Sequence, residues 1–262
     1  MISFTSAQLS AWIALFIFPF TRILALIASS PILGNKQIPA RLKIGLALML
    51  TFIIAPTLGP LPEVEPASAL GLLVLIQQVL AGLLMGFTMR LIFTAVEMCG
   101  ELVGMQMGLG FASFFDPVNA TFTPVVAQFL GIIAALAFIG MNGHLYMLEV
   151  LVNSFQTFPI SLDLPRALAL RSIAEWGSSI FTHALQLSMP VIGALLFTNI
   201  ALALLTRSAP QLNIFAIGFP LSLAIGFAAL ALFIPYFAPL LDSFTYTALE
   251  NAARIVQQLG TP

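Results

Sequence analysis

Arg90, Glu97 and Glu101 lie seven and four residues apart, a spacing that on a helix aligns all three along one stripe. In a chain with few charges this stripe is the first place to look for chemistry. Three ionisable groups on one face cannot point at lipid, so they call for a protein partner or water. Catalysis needs more: a nucleophile with its base, a metal triad or two facing aspartates. The sequence contains no HExxH, no GxSxG and no phosphate-binding glycine loop. His144 and His183 stand alone among apolar neighbours and read as polar contacts. Cys99 is the single cysteine, which excludes an internal disulfide and any CxxC or Cys/His metal site, and it reads as a small packing residue. No enzymatic activity, metal or cofactor is expected.

The elements that position these residues follow from composition. Of 262 residues only 7% are charged and 60% are hydrophobic, against roughly 25% charged in soluble domains. An aqueous fold would expose large sticking patches, so the chain is expected to be a polytopic all-α membrane protein. A β-barrel would show short alternating segments, and this chain has long uncharged runs. The net charge of −1 leaves no cationic surface for nucleic acid. Spanning about 30 Å of hydrocarbon takes roughly 20 apolar residues, and six gaps between charges are candidates: 9–33, 44–58, 67–89, 118–143, 176–206 and 213–241. The last two exceed the requirement and must tilt, kink or project. Residues 1–21 are uncharged, unlike the basic start of a cleaved leader, so the first helix is expected to stay. Lys36, Arg41 and Lys43 place the first connection in the cytoplasm and both termini outside. Arg166 and Arg171 count against that orientation, offset by Glu149, Asp163 and Glu175.

Pro19, Pro124, Pro190, Pro220 and Pro235 fall inside these spans, and each frees a carbonyl that neighbouring protein or a wet cavity must satisfy. Gly82, Gly86, Gly100 and Gly104 recur at four-residue spacing, which allows close approach of helix backbones within or between chains. Met85, Met89, Met98, Met105 and Met107 cluster in the same region, as core filling or as a deformable surface. Residues 108–117, GLGFASFFDP, combine two helix-ending glycines, three phenylalanines and a turn signal. Two readings stand side by side: a re-entrant loop whose rings close a pore by excluding water, and an interfacial loop whose rings dip into headgroups.

The runs GFASFFDPVNATFTPVVAQF (110–129), RSAPQLNIFAIGFPL (207–221) and PFTRILALIASSPILG (19–34) together resemble the FliR family, the flagellar member of the FliR/SctT subunits of type III secretion export gates. The resemblance covers essentially the whole chain. It implies an all-helical subunit assembled with FliP and FliQ into a closed helical pore, with FlhB and FlhA as neighbours, through which unfolded proteins leave the cytoplasm. It further implies a FliP-like part, 1–170, and a FliQ-like hairpin, 171–262, in a bacterial inner membrane at the flagellar basal body, displaced towards the periplasm. Residues 108–117 match the family's pore plug, with Phe111, Phe114 and Phe115 as plug candidates beside Asp116 and Pro117; Gly108 and Gly110 would let the backbone swing aside, and the nearby Met105 and Met107 would re-form a seal. Arg207, Pro210 and Gln211 match its C-terminal hairpin turn, a subunit contact. Gly82, Gly86, Gly100 and Gly104 are the packing candidates, and Arg22, Arg90, Glu97 and Glu101 are expected to be buried charges.

The alternatives are the injectisome homologue of the same gate and a small-solute transporter. The second is motivated by kinked helices and by Arg22 in the first span, where a central cation costs about 2.5 to 3.5 kcal/mol. A transporter predicts inverted repeats, and no convincing one is present. Arg22 reads better as a partner for helix-terminal carbonyls or a carboxylate.

Overall fold

The computed structural model describes residues 6–59, 61–62, 64–109, 124–211 and 214–260. Among them the regular elements are helices and no strand occurs: α1 (Ser6–Ser29), α2 (Ala40–Ile54), α3 (Ala69–Gln106), α4 (Val125–Gly140), α5 (Gly143–Thr157), α6 (Ala167–Gly177), α7 (Ser179–Ser208) and α8 (Ile214–Gly260). Five stretches are long and apolar enough to cross a membrane: Ser10–Ser29, Ala40–Thr57, Ala69–Gln106, Leu168–Ser208 and Ala216–Gly260. Val125–Gly140 and Gly143–Thr157 together make a sixth, broken one. The expected all-α fold with about six hydrophobic segments is the fold observed.

Two compact units share the chain. One comprises α1, α2, α3 up to Leu91, α5, α6 and the end of α8 from Thr245. Its core includes Phe18, Ile23, Leu26, Met85 and Leu151. The other comprises α3 from Ile92, α4, α7 and α8 up to Phe244, and it buries Ile92, Leu130, Phe138, Leu195 and Phe237.

Helix ends have local causes. After α1 the chain turns at Gly34, where a Cβ would collide with the Ser30 carbonyl oxygen, so only glycine fits. Lys43 on α2 reaches back, its Nζ donating to the carbonyls of Gly34 and Asn35 at 2.9 Å each. Between α4 and α5, Asn142 takes the left-handed conformation with φ 59°, which asparagine tolerates better than most residues. Its carbonyl accepts from the backbone N–H of Leu145 and Tyr146, starting the next helix.

Several boundaries differ from the hydropathy reading. Span 67–89 is the first half of a 38-residue helix, about 57 Å long at 1.5 Å per residue. Arg90, Glu97 and Glu101 do not interrupt it, because a helix exposed on one side accommodates charge there. Span 213–241 likewise continues to Gly260. Leu241, Thr245, Ala248, Ala252, Ile255 and Leu259 are buried at alternating three- and four-residue steps while Glu250 and Arg254 stay outside, an amphipathic pattern that a search for uncharged runs passes over. α5 and α6 lay within an expected connection. Pro124 is not inside a helix; it is the residue before α4. Pro19, Pro190, Pro220 and Pro235 are within helices as expected, joined by Pro239.

Candidate functional site

Arg22 is fully buried, and each of its three guanidinium nitrogens donates a hydrogen bond. Nε donates to Gln78 Oε1 at 2.8 Å, Nη1 to the Ser154 carbonyl at 2.9 Å and its hydroxyl at 3.1 Å, and Nη2 to the Phe158 carbonyl at 2.8 Å. The cation also lies over the rings of Phe155 and Phe158, 4.3 and 5.4 Å from their centroids. Ser154 is in the last turn of α5 and Phe158 is its C-cap. The guanidinium therefore sits at the C-terminal end of α5, at the negative end of its dipole, where the Phe158 carbonyl lies beyond the helical ladder and the Ser154 carbonyl also accepts the Phe158 N–H. Arg22 thus ties α1, α3 and α5 together, and the structural reading of it holds over ion binding. No carboxylate pairs with it among the described residues.

Glycines make the second set of contacts in that unit. A Cβ at Gly82 would strike the Arg22 carbonyl oxygen, the Ala25 side chain and the Leu26 nitrogen, and one at Gly86 would strike the Ser29 hydroxyl and Leu26 carbonyl. Gly82 and Gly86 on α3 thus face Ala25 and Ser29 on α1, small against small at four-residue spacing. Gly82→Leu is expected to separate this seam at a cost of about 1–3 kcal/mol or more, seen as a lower steady-state amount in membranes. Gly131→Ala, with nothing within 4 Å of the new Cβ, is expected to leave that amount unchanged.

In the second unit, the end of α3 carries part of the expected plug region. Gly100 abuts the Ala127 backbone so closely that no Cβ fits, whereas Gly104 has only ordinary contacts with Pro124 and Val126. Met107 is wholly buried, its side chain filling the space where a Cβ at Gly226 would stand, with Sδ 2.8 Å from it. Gly108 ends the helical order with φ 83°, donating its N–H to the Met105 carbonyl. Met105 is 59% exposed. Met105, Gln106, Met107, Gly108, Asn199 and Ser222 line part of a cleft of about 420 Å³. Gly110, Phe111, Phe114, Phe115, Asp116 and Pro117 lie outside the described residues.

The remaining candidates distribute unevenly. Of the four expected buried charges only Arg22 is buried; Arg90, Glu97 and Glu101 lie exposed on this chain, because α3 turns that side away from its own unit's core. Met85 and Met89 are core residues like Met107, so the methionine cluster is mainly packing, with Met105 its exposed member. Arg207, Pro210 and Gln211 are exposed where α7 ends. Cys99 is buried, and among the described residues no group of three His, Cys, Asp or Glu could hold a metal. Sequence reasoning missed Gln78, Ser154, Phe155 and Phe158 as the seat of Arg22. The available signal was a helix end at Phe158-Pro159, which supplies carbonyls to a distant cation.

Among the described residues the chain is a polytopic helical membrane protein held together by a buried arginine and by glycine seams. The chain belongs to the bacterial export proteins, family 1, whose pattern it matches over residues 13–248. It is 42% identical over 259 residues to the flagellar biosynthetic protein FliR of Escherichia coli (strain K12), covering 99% of each chain. Similarity to the FliR of Pectobacterium carotovorum subsp. carotovorum is 41% over 261 residues and all of both chains. To that of Bacillus subtilis (strain 168) it is 31% over 218 residues, 82% of this chain and 84% of the other.

Proposed function

We propose that this chain is the flagellar member of its export family: a structural and gating subunit of the type III channel that passes unfolded flagellar proteins out of the cytoplasm. The observation that carries this reading is similarity to flagellar FliR proteins at 41–42% identity from end to end. Its work is positional, not catalytic. In this reading FliP- and FliQ-type subunits share one complex with it in the bacterial inner membrane at the basal body, FlhB and FlhA are neighbours, and 1–170 and 171–262 are FliP-like and FliQ-like parts. The chain itself leaves large side chains such as Phe197, Leu232 and Phe52 at 76%, 75% and 69% exposure, surfaces that suit lipid or partner helices. The plug role goes to the segment around 108–117.

The test is replacement. An Escherichia coli strain lacking its own FliR is expected to regain swimming and release of flagellar subunits when it carries this gene. Secretion that stays absent, although the chain is stably inserted and co-purifies with FliP and FliQ, would overturn the reading. Produced without those partners the chain is expected to aggregate or be degraded, and a well-behaved monomer in mild detergent would count against a partner requirement.

A further inference from the structure

The first unit contains a polar cleft that no role above uses. It lies between α6 and the end of α8, has a volume of about 350 Å³ and is lined by Ser172, Glu175, Trp176, Asn251, Arg254 and Gln258. That volume is at the small end of ligand sites, which run from about 300 to 1,000 Å³. Its walls carry both signs of charge. Arg254 is exposed and makes no ion pair among the described residues, although Glu250 stands one turn before it. Glu175 uses Oε1 for Arg171 at 2.8 Å, leaving Oε2 as an acceptor. Trp176 spends its indole N–H on the Thr88 carbonyl at 3.2 Å.

The position in each helix locates the cleft with respect to a membrane. Leu168–Ser208 and Ala216–Gly260 have 41 and 45 residues, about twice what hydrocarbon requires. Each is polar at the end that lines the cleft: Arg171, Ser172, Glu175 and Ser178 in one, Asp242, Glu250, Asn251 and Arg254 in the other. Those ends therefore stand beyond the acyl chains, and Trp176, where polar sequence gives way to apolar, occupies the headgroup level favoured by tryptophan.

We infer that this cleft binds the headgroup of a phosphoethanolamine lipid. Arg254 supplies donors for the phosphate, while Glu175 accepts from the primary ammonium. A choline headgroup carries no N–H to donate to Glu175, and an anionic glycerol headgroup would leave Glu175 facing no cation. The site thus selects by hydrogen-bond inventory as well as by charge.

The experiment reads lipid retention and not export, so its failure is separable from failure of the export-gate reading. The chain, produced together with FliP- and FliQ-type subunits and purified in their complex, is reconstituted in bilayer discs containing equal amounts of ethanolamine and choline phospholipids with the same acyl chains. It is then released, and the retained lipid is counted by mass spectrometry. Selective retention of the ethanolamine lipid is expected, weakened roughly tenfold in Arg254→Gln by loss of a charge-assisted contact. Glu175→Gln is expected to abolish the preference over choline lipid while sparing phosphate binding. Arg166→Gln, at an exposed cation outside the cleft, is expected to change nothing. Equal retention of both lipids, or retention unaltered by Arg254→Gln, would overturn the inference. So would displacement by soluble phosphoethanolamine or inorganic phosphate as effective as the lipid, which would reassign the cleft to a soluble anion.

Discussion

Replacing Arg22 by Met is expected to lower the amount of folded chain in membranes more than any other single side-chain change described above. Met has comparable length and no polar atoms, so the space stays filled and the loss is one of hydrogen bonding. The Phe158 carbonyl and the Gln78 side-chain oxygen would each lose a donor where water has no easy access, at about 1–3 kcal/mol for each group left unsatisfied, while the Ser154 carbonyl would keep the Phe158 N–H. Even partial compensation leaves several kcal/mol, comparable to the whole stability of many domains. Arg22→Lys keeps the charge but offers a point donor in place of a planar fork, so an intermediate effect is expected. The comparison variant is Arg171→Met, which removes an i,i+4 pair whose side chains are 77% and 64% exposed and which such pairs value at about 0.3–0.5 kcal/mol. Pulse-labelled turnover in membranes ranks the three. Equal lifetimes for Arg22→Met and Arg171→Met would remove Arg22 from its central place in the first unit.

The second large effect concerns leakage. With Phe111, Phe114 and Phe115 all changed to Ala, membranes containing the assembled gate are expected to show raised resting conductance to small ions. Large apolar rings close a narrow passage by dewetting it, and methyl groups do not. In the proposed gate the exposed Met105 is the neighbouring thioether that would mould around a passing chain, whereas Met107 is committed to its contact with Gly226. Met105→Ala is therefore expected to add to leakage, and Met107→Ala to act through stability by opening a core cavity of the kind that costs about 2–5 kcal/mol. Unchanged conductance in a correctly assembled triple variant would return these rings to an interfacial role.

How far the sequence could be read depended on whether the signal was local. The apolar runs marked the helices because hydrocarbon length sets a minimum that composition alone reveals. Gly82 and Gly86 announced a close approach by their spacing, but the matching surface, Ala25 and Ser29, is almost 60 residues earlier and has no marker of its own. Arg22 was legible as a cation needing a seat. That seat comes from helix ends and an amide more than 50 residues away, a pairing set by tertiary packing. The charges on α3 show the opposite failure: their helical stripe was correctly aligned, yet a stripe specifies mutual alignment and not which neighbour, core or surface, it faces. The end of α8 was missed because the search sought uncharged runs, while a helix outside hydrocarbon reveals itself by period.

Lys43 carries a consequence for how the protein is made. Its Nζ is bound to the carbonyls of Gly34 and Asn35, and it is also one of three positive charges in the first connection that the insertion machinery reads when choosing which side of the membrane retains a loop. One ammonium group thus serves as a topogenic signal during synthesis and as a clasp afterwards. Inverting orientation by charge swaps at Lys43 would confound misinsertion with loss of the clasp. Swaps at Lys36 and Arg41, which have no such bonds among the described residues, would report on insertion alone.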